Sequence, residues 1–212
     1  MYIKWLGHAS FLIKTGGKNI YIDPYVGDYS VEADVVLITH GHGDHCDLDK
    51  LSMIRTPETL ILTSGACAEG VPPGNVETME PGDTRDIDGV KVHAVEAYTY
   101  KRFRSPGVPY HPQGTQVGFI VEAEGKRVYH AGDSDYIPSM DELGDITLAL
   151  LPIMGRAVMD VDEAVEAALG IEPEMVVPMH WRESDPQEFR RKVEARSNLK
   201  VLVMSDGQEI TL

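Results

Sequence analysis

Residues 34–45 read DVVLITHGHGDH: an unbroken apolar run from Val35 to Ile38, then a glycine-punctuated turn carrying His40, His42, Asp44 and His45. Four consecutive apolar residues, three of them β-branched, predict a strand buried on both faces, as in the interior of a parallel sheet. Polar residues begin abruptly at Thr39, so chemistry is expected where that strand ends. In an extended segment His40 and His42 point the same way, and Gly41 and Gly43 permit a turn that redirects Asp44 and His45 toward a second centre. Three of the chain's eight histidines fall within this segment, where an incidental surface loop would not concentrate them. Imidazole and carboxylate donors suit zinc, manganese, iron or nickel.

Outward from this segment, YIKWL, SFLIK and NIYID read as strands that join DVVLI in an antiparallel meander, with a turn at Gly16 and Gly17. LILTS, a hairpin through GDTRDIDGVKVHAVEAY, the pair QVGFIVEAEGKRVYHAGDSD turning near Gly125, and ITLALLPI supply the middle strands. Helices alternate with strands after that: DVDEAVEAALG with Asp160 as cap and Gly170 as stop, EMVVPMH, DPQEFRRKVEARS, and KVLVM. Two strand-rich halves, each with helices attached, predict an α/β fold, a four-layered αββα sandwich of two mixed sheets with outer helices. Residues 1–212 are expected to form a single domain.

The chain carries 34 acidic against 19 basic side chains, a formal charge of -15. Such a surface repels phosphate backbones, which argues against a nucleic-acid partner unless bound cations reverse the potential locally. Two cysteines make neither a disulfide framework nor a cysteine zinc cluster, and Cys46 reads as a structural thiol. With no apolar run long enough to span a bilayer and no basic, apolar leader, the expectation is a cytoplasmic protein without membrane insertion, acting on a small molecule and free to form a homo-oligomer.

Asp133 in HAGDSD and His180 in VVPMHW lie at the ends of further strands. HxHxDH, then GD, then a late His resembles the metallo-β-lactamase superfamily. LGHAS at Gly7 to Ser10, IDP at Ile22 to Pro24, LLPI at Leu150 to Ile153 and VVPMH at Val176 to His180 extend the resemblance over nearly the whole chain. Within the superfamily the chain is similar to small single-domain metal-dependent hydrolases of the ascorbate-6-phosphate lactonase and N-acyl phosphatidylethanolamine phospholipase D branches. The resemblance implies two divalent ions, Zn2+ first, with Mn2+, Fe2+ or Ni2+ as other choices. His40 and His42 would hold one, Asp44, His45 and His180 the other, and Asp133 would bridge them. The implied activity is hydrolysis of an ester, lactone or phosphodiester by a hydroxide shared between the ions, with Asp44 orienting it or accepting its proton.

One ligand departs from the family pattern, because the further His expected after VHAVEAY falls at Thr99, which cannot replace an imidazole. His111 in PYHPQG is the preferred substitute and His93 its competitor; failure of both would leave the first site weak and the chain a non-catalytic metal-binding or regulatory protein. His130 reads as a hydrogen-bonded strand residue. His8 of LGHAS either contacts substrate and shuttles a proton or serves the core, and Asp23 either supports the histidine loop from behind or is a plain turn residue. Lys101, Arg102 and Arg104 form a basic cluster in an acidic chain that could steer an anionic substrate. Arg156, Met159, Trp181 and Arg182 follow strands and are expected to shape the pocket.

Overall fold

The computed structural model describes residues 1–212. In chain order its elements are β1 (Tyr2–Gly7), β2 (Ser10–Thr15), β3 (Lys18–Ile22), β4 (Val35–Ile38), α1 (Leu48–Ile54), β5 (Leu60–Thr63), α2 (Gly65–Ala68) and β6 (Val76–Thr78). Then follow β7 (Thr84–Ile87), β8 (Val90–Glu96), β9 (Phe103–Ser105), β10 (Val108–Pro109), β11 (Val117–Ala123), β12 (Lys126–His130) and β13 (Leu148–Pro152). The chain closes with α3 (Val161–Ile171), β14 (Met175–Met179), α4 (Pro186–Glu194), β15 (Lys200–Val201) and β16 (Glu209–Thr211).

Two seven-stranded sheets result, ordered β16-β1-β2-β3-β4-β5-β6 and β15-β14-β13-β12-β11-β8-β7. The alternation of side chains along each strand assigns the layers. Val35 and Leu37 of β4 face the second sheet and join Phe11, Ile22, Phe119, Leu150 and Val177 in the central core. Val36 and Ile38 face outward onto Leu51 and Ile54 of α1 and onto Cys67. On the far side, Tyr129, Ala149, Leu151 and Val176 pack against Ala164, Ala168 and Ile171 of α3 and Phe189 and Val193 of α4. The αββα sandwich is therefore the fold of this chain, and no helix is long and apolar enough to cross a membrane.

The meander expected in the first sheet is antiparallel only through β3; β4 pairs parallel with it. A strand apolar on both faces belongs inside a parallel stretch, and β3, β4 and β5 provide one, as β12, β13 and β14 do in the second sheet. Gly170 does not stop α3, which ends at Glu172 in the left-handed region at φ 52°. Gly170 has a packing role instead: a Cβ there would meet the Tyr136 hydroxyl and the Asp141 carboxylate within 2.3 Å. Asp160 does cap α3, accepting from Glu163 N–H. KVLVM pairs over only two residues, Lys200 and Val201.

Candidate metal centre

Asp23 follows β3, His40 follows β4, Asp133 follows β12 and His180 follows β14, so four side chains arrive from the carboxyl ends of parallel strands, where open α/β sheets bind ligands. The glycine-rich turn is closed by the amides of His45 and Cys46, which both donate to the His42 carbonyl, and it hands the chain to α1 through Asp47, whose carboxylate caps that helix. His8 enters from the β1–β2 turn, with its carbonyl accepting from His180 N–H at 3.1 Å and Trp5 Nε1 at 3.1 Å. His8, Asp23, His180 and Arg182 all hold left-handed backbone, at φ 53°, 47°, 51° and 46°. Non-glycine residues in that region cost roughly 1–3 kcal/mol each and persist where the surroundings fix them, often at functional sites.

Two groups of donors converge, one of His40, His42, His111 and Asp133 and one of His8, Asp44, His45 and His180, each with its ligand atoms within 4.8 Å of one another. Asp133 connects them. Its Oδ1 lies 3.1 Å from His45 Nε2 and 3.4 Å from His180 Nε2, and its Oδ2 lies 3.4 Å from His111 Nε2 and 3.9 Å from His40 Nε2.

The backs of the imidazoles decide what their fronts can do. Asp23 is fully buried and accepts from Thr39 N–H and Thr39 Oγ1, each at 2.8 Å, and from His45 Nδ1 at 2.7 Å. With its proton given to Asp23, Thr39 Oγ1 accepts from His40 Nδ1 at 3.0 Å. His111 Nδ1 donates to the Ala157 carbonyl at 3.1 Å. Assigned from these partners, the Nε2 atoms of His40 and His111 present lone pairs to the centre, and with Nδ1 committed to Asp23 the Nε2 atom of His45 is the one left to face it. His42 Nδ1 sits 2.9 Å from His40 Nε2 and 3.2 Å from His111 Nε2. Because Arg104 Nη2 can only donate to His42 Nε2, the ring proton of His42 sits on Nδ1 and is shared with those two nitrogens when no ion is bound. His8 Nε2, His45 Nε2 and His180 Nε2 of the second group, and the Asp133 Oδ1 that faces them, are buried without a hydrogen bond of proper geometry. A donor set of imidazole nitrogens and carboxylate oxygens, oriented from behind and unsatisfied in front, fits divalent transition-metal ions.

Burial, aided by the neighbouring imidazoles, lowers the pKa of His40 and His42, and burial also lowers that of His8. His111 is pulled down to about 4, chiefly by burial. His45 goes the other way: burial disfavours its charge, but Asp133 and Asp23 outweigh that and hold it above the ordinary imidazole range. Asp133 resists burial because His180 and His45 keep its carboxyl well below the usual range, and Asp44 is lowered by His8 and His45 against its own burial.

These directions set a pH dependence for the protein without metal. An unfolded imidazole titrates near 6.5, so between about pH 6.5 and about 4 the unfolded chain binds a proton that folded His111 does not. Stability carried by His111 is therefore lost as pH falls through that window. His45 contributes oppositely: its stabilisation is complete below the ordinary imidazole value and is lost as pH rises through its raised folded value. A ligating imidazole must be neutral, so adding Zn2+ near neutral pH is expected to release a proton from His45. Dye-detected proton release in weak buffer measures it, and the absence of release would show that His45 is already neutral.

Thr99 is buried, and it secures His111 rather than replacing an imidazole: Thr99 N–H donates to the His111 carbonyl at 2.8 Å and His111 N–H donates to Thr99 Oγ1 at 2.9 Å. His93 lies away from the centre on β8, beside Thr84 Oγ1 at 2.9 Å and Glu122. His130 is fully buried and satisfied by the Ala9 carbonyl and the Gly132 amide. Cys46 and Cys67 lie side by side, and their hydrogen bond together with burial raises the Cys46 thiol.

The basic cluster divides. Arg104 lines the pocket, 3.3 Å from His42 Nε2. Lys101 and Arg102 do not: Lys101 pairs with Glu163, and Arg102 is enclosed by Asp135, Asp160 and Glu163, so their charges are neutralised against α3. The sequence reading missed these acids because they lie far along the chain from the cations. In their place Arg156 and Arg182 reach the pocket, a cavity of about 530 Å³ over Asp133, and Arg182 Nη2 stands 2.7 Å from Asp44 Oδ2. The sequence places both after strands, now β13 and β14, and expects them to shape the pocket.

Comparison with known proteins agrees with this architecture. The model of the beta-lactamase superfamily domain matches residues 2–180. A Methanopyrus kandleri protein described as a UPF0173 metal-dependent hydrolase is 36% identical, covering 98% of each chain. A Parabacteroides distasonis crystal structure superposes with a TM-score of 0.87 at 32% identity, covering 95% of this chain and 91% of that one. A metallo hydrolase from Ignicoccus hospitalis superposes with a TM-score of 0.81 at 28% identity over 99% and 98% of the two chains. The chain belongs to the UPF0173 metal-dependent hydrolases of the β-lactamase superfamily.

Proposed function

We propose that residues 1–212 work as one hydrolase domain that binds two divalent ions, Zn2+ in the first instance, and cleaves an ester, lactone or phosphodiester bond in a small anionic molecule. The observation that carries this reading is the sharing of Asp133 between two groups of inward-facing donors at the floor of an arginine-lined pocket. His40, His42 and His111 with Asp133 would hold the first ion, and Asp44, His45 and His180 with Asp133 the second. Ions so placed acidify a water and polarise a carbonyl or phosphoryl oxygen. Asp23 fixes the tautomer of His45 directly and that of His40 through Thr39. Asp44 orients the attacking oxygen, and His8 Nε2, 3.3 Å from Asp44 Oδ2, is positioned to take up or return a proton there. Arg104 neutralises charge on the substrate. We assign the activity to the cytoplasm and leave room for a homo-oligomer.

The test is metal content per chain by plasma mass spectrometry, paired with hydrolysis of bis(p-nitrophenyl) phosphate and of a simple lactone. About two ions per chain with turnover of either substrate is the expected result. About one ion would mean that the first site fails at His111. No binding after reconstitution would overturn the proposal in favour of a non-catalytic protein.

A further inference from the structure

We propose that the substrate carries two separate anionic groups, one on each side of the bond that is cut, received by Arg104 at one end of the pocket and by Arg182 with Arg156 at the other. The inference rests on the hydrolase reading above and narrows its substrate class.

In a chain of net charge -15, three guanidinium groups from three separate segments line one pocket, and Glu183 is the single acid there outside the two donor groups. Chance surface charge would bring carboxylates instead. The two arginines with closest contacts mark opposite ends. Arg104, on β9, touches His42 of the first donor group; Arg182, after β14, touches Asp44 of the second; Asp133 lies between the groups.

Neither end is committed as Arg102 is. Arg104 has no carboxylate partner: it donates to the Tyr110 carbonyl at 3.1 Å and its guanidinium lies 5.8 Å from the Tyr110 ring, which orients the fork without neutralising it. Arg156 is exposed beside Ala157, whose carbonyl holds His111. Arg182 lines the pocket and pairs with Asp44, yet about half of its side chain is exposed. Arg104 and Tyr110 also border a second groove of about 270 Å³, giving a substrate group beyond Arg104 room to extend.

An anion held against Arg104 beside His42 leaves the arginines beside Asp44 without a counter-charge from the ligand. A linear molecule with a carboxylate or phosphate at each terminus reaches both, and the second contact forms within an already bound ligand, which multiplies affinity.

Calorimetric titration of the metal-loaded full chain tests this with three probes of one skeleton: 3-phosphoglycerate, glycerol 3-phosphate and glycerate. The two-ended probe is expected to bind about tenfold tighter or more than either one-ended probe. Arg104→Gln and Arg182→Gln should each erase that advantage, while Arg104→Lys, which keeps the charge and loses the fork, should retain part of it. Equal affinity for all three probes, or variants that weaken all three alike, would overturn the inference. Metal content is measured on every variant. Two bound ions and diester hydrolysis without preference for the two-ended probe sink this inference alone; a clear preference without hydrolysis under any metal sinks the hydrolase reading and, with it, the placing of the two groups about a cut bond, leaving only a two-ended ligand.

Discussion

Asp133→Ala is expected to abolish metal-dependent turnover, with a loss of roughly 10³-fold or more, equivalent to about 4 kcal/mol of transition-state stabilisation. Asp133 is the one carboxylate whose two oxygens address both donor groups, with His45 and His180 on Oδ1 and His111 and His40 on Oδ2. It is nearly fully buried, and a water in its place would carry no charge to join the ions. The other acid of the centre, Asp44, reaches only the second group. Metal content should fall below two per chain along with activity. Because removal of a buried acid can perturb folding, Asp133→Asn serves beside it: it preserves the volume and removes the charge that joins the ions. A variant with full activity and two ions would refute the binuclear assignment.

Asp23→Ala should produce the largest loss of stability, about 3–5 kcal/mol, because a buried charged partner disappears while Thr39 N–H, Thr39 Oγ1 and His45 Nδ1 remain buried without an acceptor. The position also carries left-handed backbone, which alanine tolerates poorly. Asp23→Asn separates structure from chemistry. Its oxygen can still accept from the Thr39 amide, but its NH2 cannot accept the His45 proton, so the ring loses the partner that orients it. Metal affinity is expected to drop about 10–100-fold in this variant with a smaller change in stability. Urea denaturation of the metal-free protein and competitive zinc titration with a chromophoric chelator give the two quantities. Unchanged zinc affinity in Asp23→Asn would assign Asp23 to the turn alone.

What could be read before folding was local and periodic. The apolar run of β4 declared its double burial, and its strict alternation divides Val35 and Leu37 from Val36 and Ile38 between two cores. HxHxDH announced its own convergence because both glycines sit inside the six-residue turn. The family resemblance implies a further imidazole near Thr99 and makes His111 the preferred substitute over His93, yet the reason His111 can serve lies in the paired hydrogen bonds between it and Thr99. Charges were the least readable part. Lys101 and Arg102 looked free until Asp135, Asp160 and Glu163 arrived from distant sequence, whereas Arg182 gained its place from the turn at His180. Gly170 looked like a stop because side-chain approach from Tyr136 and Asp141 leaves no sequence mark.

The spread of the converging residues along the chain, from His8 to His180, has a kinetic meaning. During synthesis the first sheet can pair through β6 while the second is still incomplete, since its parallel strands need partners far apart in sequence. A nascent chain that has emerged only through α3 holds the imidazoles of the first donor group but lacks β14, and with it His180 and the backbone bond that ties His180 to His8. On the two-ion proposal, the second donor group would be complete only once β14 docks, so that an unfinished chain would lack it.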